Sequence, residues 1–99
     1  MKSVHKQIIF DNISEVRDYV YLNMYGFIKI LKIGMQKDTV CVWYEVDLTK
    51  TNTFDIVEFR IVRTGDSIYD DEYDKLEYLN TLSFMDDSLI FHFYLVKKI

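Results

Sequence analysis

Short runs in which apolar and polar residues alternate recur along this chain of 99 residues, which contains no proline. Alternation with a period of two puts the apolar side chains on one face of an extended strand and the polar ones on the other. In the clearest run, residues 40–48, β-branched and aromatic residues take every second position, a composition typical of strands. The pattern therefore predicts a fold built from short strands.

Six segments are predicted to be strands on this basis. They are residues 4–10, 27–35, 40–48, 54–62, 77–84 and 89–96. In residues 27–35, Phe27, Leu31 and Ile33 are expected to share a face. The last segment is apolar on both faces, so we expect it to lie inside a sheet rather than at its edge.

Residues 12–22 allow two interpretations. Asn12 followed by Glu15 resembles a helix capping box. Residues 18–22 are rich in strand-forming side chains, and the strand is the favoured interpretation. One helical turn is also allowed in the acidic stretch 69–78.

These segments predict an all-β, β-rich fold in a single domain that spans residues 1–99. The architecture expected is a small antiparallel sandwich or open barrel of about six or seven strands, with room for one short helix. A hydrophobic content of 49% with 28% charged residues is that of an ordinary folded chain with one core, and excludes a disordered segment.

Composition also limits the class of function. The single cysteine, Cys41, excludes a disulfide framework and a cysteine-based zinc site, and fits a reducing compartment. Lys2, His5 and Lys6 interrupt the first apolar run, so we expect no export signal, and the uncharged run 40–44 is too short to span a membrane. The net charge of −4 argues against general nucleic-acid binding.

Motifs spread over the chain resemble a family of small uncharacterised proteins of bacteriophages and prophages. The motifs are Met1-Lys2-x-x-His5-Lys6, Cys41-x-Trp43-x-x-Val46-Asp47, Phe59-Arg60-Ile61-Val62-x-Thr64-Gly65 and Tyr78-Leu79-x-Thr81. The resemblance implies a viral or prophage gene product that acts in the cytoplasm of a bacterial host. It implies no activity, and by association it favours an accessory binding protein that counters a host defence by binding a host protein.

The alternative function is the binding of a small anionic ligand such as a nucleotide. Arg60 and Arg63 lie just before a Thr-Gly turn, where guanidinium groups and exposed backbone N–H groups suit phosphate. They point to opposite faces of a regular strand, and pairing of Arg60 with Glu58 or a cross-strand acid is the simpler interpretation. The candidate ligand-binding residues are Arg60, Arg63, Thr64, Gly65, His5, His92 and Trp43.

A small hydrolase is the least favoured hypothesis. If the first and last strands pair, His5 and His92 would approach each other as an acid–base or metal pair. Histidines that are hydrogen-bonded within the sheet are the simpler interpretation, and Cys41, inside a strand, is expected to be an inert buried thiol. We therefore predict no enzyme activity, no catalytic residue, no metal and no cofactor.

Residues 66–77, here called the acidic loop, hold six carboxylates and one lysine. Tyrosines interleaved with acids suit a protein-binding surface that docks on a basic partner. The candidate protein-binding residues are Tyr69, Asp70, Asp71, Tyr73 and Asp74. The many aromatic side chains and the edge strands of such a fold further predict a homodimer.

Overall fold

A computed structural model describes residues 1–98 of the chain. Within them seven strands, one 3-10 turn and one turn of α-helix follow one another. The order is β1 Lys2–Phe10, the 3-10 turn Ile13–Glu15, β2 Tyr19–Tyr25, β3 Phe27–Gln36, β4 Thr39–Asp47, β5 Phe54–Arg63, α1 Asp70–Tyr73, β6 Leu76–Phe84 and β7 Leu89–Val96.

The strands form two sheets, in the orders β1-β4-β3 and β2-β5-β7-β6. The pairs β1–β4, β3–β4, β5–β7 and β6–β7 are antiparallel. Two separate sheets, neither closed into a barrel over the described residues, match the small all-β sandwich class and not the open barrel. The prediction that the last strand lies inside a sheet is confirmed, because β7 lies between β5 and β6.

The chain forms two compact units. The first comprises Met1–Val16 and Tyr21–Val57, and the second comprises Arg17–Val20 and the described part of Glu58–Ile99. In residues 1–98 no helix is long and apolar enough to cross a membrane.

Strand β4 contributes more buried side chains to the first unit than any other strand. Val40, Val42, Tyr44 and Val46 alternate along it and are each no more than 4% exposed. Each fully buried valine contributes about 1.5–3 kcal/mol to the hydrophobic stabilisation. The period of two therefore predicted this strand correctly, and the structure shows that its face of valines and Tyr44 is buried.

Strand β3 departs from the predicted pattern. Register shifts after Phe27 and after Ile30 insert extra residues, so that Ile30 pairs with Tyr44 and Ile33 with Val42. Ile30 and Ile33 thus share the buried face of β4, whereas Leu31 is 44% exposed. The predicted grouping of Leu31 with Ile33 is wrong, because each bulge reverses the faces taken by the residues that follow it.

Both interpretations of residues 12–22 hold in part. The side chain of Asn12 accepts a hydrogen bond from the backbone N–H of Ser14 at 3.0 Å and caps the 3-10 turn. The favoured strand is present as Tyr19–Tyr25. An N-cap residue needs only one helical turn after it, so the capped 3-10 turn and the strand both fit into this short segment.

The core of the second unit is aromatic. Phe59 and Ile61 of β5 pair with Leu95 and Phe93 of β7, and Phe59, Ile61 and Phe93 are each at most 2% exposed. The ring of Phe91 lies 5.2 Å from that of Phe84, centroid to centroid. Tilted aromatic contacts of this kind add to the stabilisation from buried area.

Gly26 makes the turn between β2 and β3 in the first unit. Its φ of +64° is in the left-handed region, and a Cβ atom there would lie 2.6 Å from the carbonyl oxygen of Asp47. Its carbonyl accepts from the N–H of Asp47 at 2.8 Å, and its own N–H donates to Thr53 O at 3.1 Å. The backbones approach closely, and only glycine fits between them.

Gly26→Ala is expected to lower the free energy of unfolding by about 3 kcal/mol, because left-handed strain and a backbone clash add together. Gly65→Ala is the matched control, since Gly65 also has a positive φ but no atom lies within 4 Å of its added Cβ. That variant should lose about 1 kcal/mol from conformation alone. Urea denaturation followed by circular dichroism measures both, and equal losses would contradict the clash.

Candidate functional site

Arg60 of β5 is the one buried charged side chain among the described residues, at 7% exposure. Its Nε donates to Glu72 Oε1 at 3.0 Å, and its Nη1 donates to its neighbour's carbonyl, Ile61 O, at 2.8 Å. A guanidinium with so little water contact requires partners from the protein. Glu72, in α1, supplies the compensating charge.

Further groups complete the surroundings of this guanidinium. It lies over the ring of Tyr19, 5.1 Å from the centroid, and Asp18 Oδ1 is 3.9 Å from its Nη1. The hydroxyl of Tyr19 in turn donates to Glu72, and the Ser67 carbonyl is 3.5 Å from Nη2 of Arg60. Arg60 is thus held by acids, as the simpler interpretation predicted, although the acids are Glu72 and Asp18 rather than Glu58 or a strand partner.

The acidic loop is fixed to the sheet by this cluster. Glu72 lies on the inward side of α1, while Tyr69 is 75% and Tyr73 is 61% exposed. Asp70, Asp71 and Asp74 are also exposed. The predicted single helical turn is confirmed, and all five candidate protein-binding residues lie together at the surface.

Arg63 and Arg60 lie on opposite faces of β5, because Arg60 pairs with Tyr94 and Arg63 with Phe91. Asp66 accepts from the backbone N–H of Arg63 at 3.1 Å and from its Nε at 3.3 Å. These bonds, the backbone one first, lower the pKa of the Asp66 carboxyl below its usual value. The two arginines therefore do not converge on one ligand.

A cavity of about 470 Å³ lies beside Arg63. Its lining residues are Arg63, Thr64, Asp66, Asp87, Ser88, Leu89 and Ile90. Two carboxylates face a single guanidinium that is already paired with one of them. The charge of this cavity does not favour an anion. The predicted turn is present, with Gly65 at φ +98°.

His92 is held between two hydroxyl groups. Its Nε2 lies 2.9 Å from Thr64 Oγ1, and its Nδ1 lies 2.9 Å from Thr81 Oγ1. The hydroxyl of Tyr78 is 2.6 Å from the same Thr81 oxygen. The chain of hydroxyl groups fixes the orientation of the ring, as expected for a histidine that is hydrogen-bonded within a sheet.

The hypothesis that His5 and His92 approach each other through paired strands is wrong. β1 pairs with β4, whereas β7 pairs with β5 and β6 in the other sheet. The ring of His5 instead meets Tyr44, with 6.1 Å between centroids. Across residues 1–98, no three His, Cys, Asp or Glu side chains form a group that could hold a metal ion, and Cys41 is buried.

Trp43, the remaining candidate, lies in β4 between two lysines. It pairs with Lys6 of β1 and with Lys32 of β3, and the Lys32 ammonium is 5.9 Å from the indole centroid. The sequence pattern indicated Trp43 as a candidate but neither lysine. Lys6 is recognised only from the register of β1 with β4, and the bulges of β3 conceal the face of Lys32.

Arg60→Ala is expected to lower the free energy of unfolding by about 3 kcal/mol, because it leaves the part-buried Glu72 without its counter-charge. Arg63→Ala is the control, since its ion pair with Asp66 is exposed and contributes at most about 1 kcal/mol. Urea denaturation by circular dichroism measures both variants. Similar losses at the two positions would show that Arg60 does not anchor the acidic loop.

Comparison with known proteins finds one related family. No curated protein and no solved structure matches the chain. The family model described as a domain of unknown function, DUF7352, matches residues 1–99. The match extends over the entire sequence, and the chain therefore belongs to the DUF7352 family.

Proposed function

We propose that this protein is a non-enzymatic binding protein whose acidic loop docks on a basic surface of another protein. The observation that carries the proposal is the buried ion pair of Arg60 with Glu72, 3.0 Å between Nε and Oε1. It holds the loop from beneath and leaves Tyr69 and Tyr73 exposed. Tyrosines held in place bury a large area on binding with little loss of side-chain freedom.

The charge of the loop supports the same function. Arg60 neutralises Glu72 and Arg63 pairs with Asp66. The other four carboxylates of the loop are those of Asp70, Asp71, Asp74 and Glu77, and the first three are nearest in sequence to Tyr69 and Tyr73. A concentrated negative field attracts a basic partner and accelerates its association. Aromatic contacts then provide the affinity that exposed charges alone do not.

The biological setting of the proposal comes from the resemblance to bacteriophage and prophage proteins. The partner proposed is a host protein in the bacterial cytoplasm, and the proposed outcome is the blocking of a host defence. Small anions are the alternative ligand class. The pairing of Arg60 and Arg63 with the chain's own carboxylates does not favour that alternative at these two residues.

To test the loop, immobilised protein is incubated with bacterial lysate and the retained proteins are compared between variants. The triple charge reversal of Asp70→Lys, Asp71→Lys and Asp74→Lys is expected to abolish capture of the specific partner. Tyr69→Ala with Tyr73→Ala should weaken its binding by about tenfold or more, because the aromatic area is lost.

The matched control reverses three exposed acids elsewhere, through Asp11→Lys, Asp38→Lys and Asp55→Lys, with the same change in net charge. This variant should retain the partner. The acidic loop would be excluded as the binding surface if the loop variant still retained the partner, or if the control variant lost it to the same extent. Circular dichroism of each variant confirms that it is folded.

The proposal includes a homodimer through β2. β2 is an edge strand and contains no charged residue, whereas the edge strands β1 and β3 each carry two lysines. Charged residues prevent an edge from pairing with another chain, and β2 has none of this protection.

Analytical ultracentrifugation of the wild-type protein is expected to show a dimer. Asn23→Lys, an exposed position in β2, should give a monomer because a lysine blocks edge pairing. Ser83→Lys, an exposed position on the edge strand β6, should leave the dimer intact. A wild-type monomer, or a dimer that persists in Asn23→Lys, would rule out association through β2.

A further inference from the structure

A second surface of distinct chemistry lies on one face of the β1-β4-β3 sheet. Val42, Tyr44 and Val46 of β4 point to the buried face, so Trp43 and Glu45 point to the opposite one. Their register partners share that opposite face. They are Val4 and Lys6 on β1, and Lys29 and Lys32 on β3. Trp43 is thus at the centre of the surface, with one lysine on each side.

The charge of this face is opposite to that of the whole chain. Four lysines (Lys2, Lys6, Lys29 and Lys32) and two acids (Glu45 and Asp47) lie on it, in a protein with a net charge of −4. Glu45 lies 4.0 Å from Lys29. Within residues 1–98, neither Lys6 nor Lys32 forms an ion pair with a carboxylate. We name Lys6, Lys32 and Trp43 the Trp43 face.

Room for the Lys32 side chain beside the indole depends on Gly34. A Cβ atom at Gly34 would lie 3.0 Å from Cε of Lys32 and 3.6 Å from the ring of Trp43. The absence of a side chain there lets Lys32 extend over the indole. Lys6, on the other side, donates to Gln36 through its ammonium group. The Lys32 ammonium thus lies over the indole, and Lys6 lies beside Trp43 on the neighbouring strand.

We propose that the Trp43 face binds a nucleotide, either free or within a single strand. On binding, an aromatic base stacks on the indole in place of the Lys32 side chain, and the ammonium groups of Lys6 and Lys32 bind the phosphate group. The three side chains supply an aromatic surface and two cations, which are the two features that a nucleotide recognises. A duplex does not fit, because its bases are stacked on one another and unavailable to Trp43.

This inference is independent of the proposed function, which uses the acidic loop. It places anion binding on residues other than Arg60 and Arg63, whose charges are already paired. The acidic loop of a second copy of the chain also has the charge to bind the Trp43 face. It would bring carboxylates and tyrosines to this face, so the experiment must distinguish it from a nucleotide.

Trp43 is the only tryptophan of the chain, and its fluorescence therefore reports this face alone. The wild-type protein is titrated with AMP, with a single-stranded oligoadenylate and with inorganic phosphate, under excitation at a wavelength that adenine does not absorb. Saturable quenching by AMP indicates a free nucleotide, and quenching by the oligonucleotide alone indicates a single strand. Either result supports the proposal, whereas inorganic phosphate should leave the emission unchanged.

Substitutions then test the residues. Lys6→Gln with Lys32→Gln is expected to weaken nucleotide binding by about tenfold or more, since both phosphate contacts are lost. Lys50→Gln with Lys98→Gln removes two exposed lysines elsewhere and should leave the affinity unchanged. Gly34→Leu should also abolish quenching, because its side chain would lie against the indole and displace Lys32.

Several results would overturn the proposal. They are no quenching by either adenine probe, equal quenching by inorganic phosphate, and equal weakening in the control pair. A second copy would be the occupant instead if two results were obtained together. The tryptophan emission would change with protein concentration alone, and charge reversal of Asp70, Asp71 and Asp74 would abolish that change. If the variant with reversed charges at Asp70, Asp71 and Asp74 still binds the nucleotide, the Trp43 face acts independently of the acidic loop, and the two proposals are tested separately.

Discussion

The buried ion pair of Arg60 with Glu72 is the interaction on which the second unit's surface depends. A guanidinium at 7% exposure would destabilise the fold unless its charge and N–H groups were satisfied. Satisfying them draws Glu72, Tyr19 and the Ser67 carbonyl together. Because Glu72 belongs to α1, the same contacts determine where the acidic loop is held and which of its side chains point outward.

Charges of one sign are concentrated at two places on the protein. Carboxylates are concentrated in the acidic loop of one unit, and lysines flank Trp43 on a sheet face of the other. Exposed charges contribute little to stability, so their distribution is not explained by folding alone. Electrostatic complementarity with partners is the physical role that such patches perform best. We propose partners of opposite charge for the two surfaces.

The sequence predicted the strands well because the period of two is a local property. The bounds of β7 were predicted to the residue, and those of β1, β4, β5 and β6 within two residues. Errors arose where the chain departs from regular pairing. Leu31 was assigned to the wrong face because the bulges of β3 depend on its partner strand. His5 and His92 were brought together by a pairing of first and last strands that the sheets do not contain.

In the candidate sites, too, the sequence determined some features and the tertiary structure decided others. The sequence by itself determined that residues 66–77 are acidic and rich in tyrosine, that Trp43 lies in a strand, and that Arg60 interrupts an apolar segment. Only the tertiary structure decided that Glu72 and Asp18 neutralise Arg60, and that Lys6 and Lys32 flank Trp43. The physical reason is that these partners are distant in sequence, and strand order and register bring them together. Alternation reveals which residues share a face of one strand, but not which strand lies beside it.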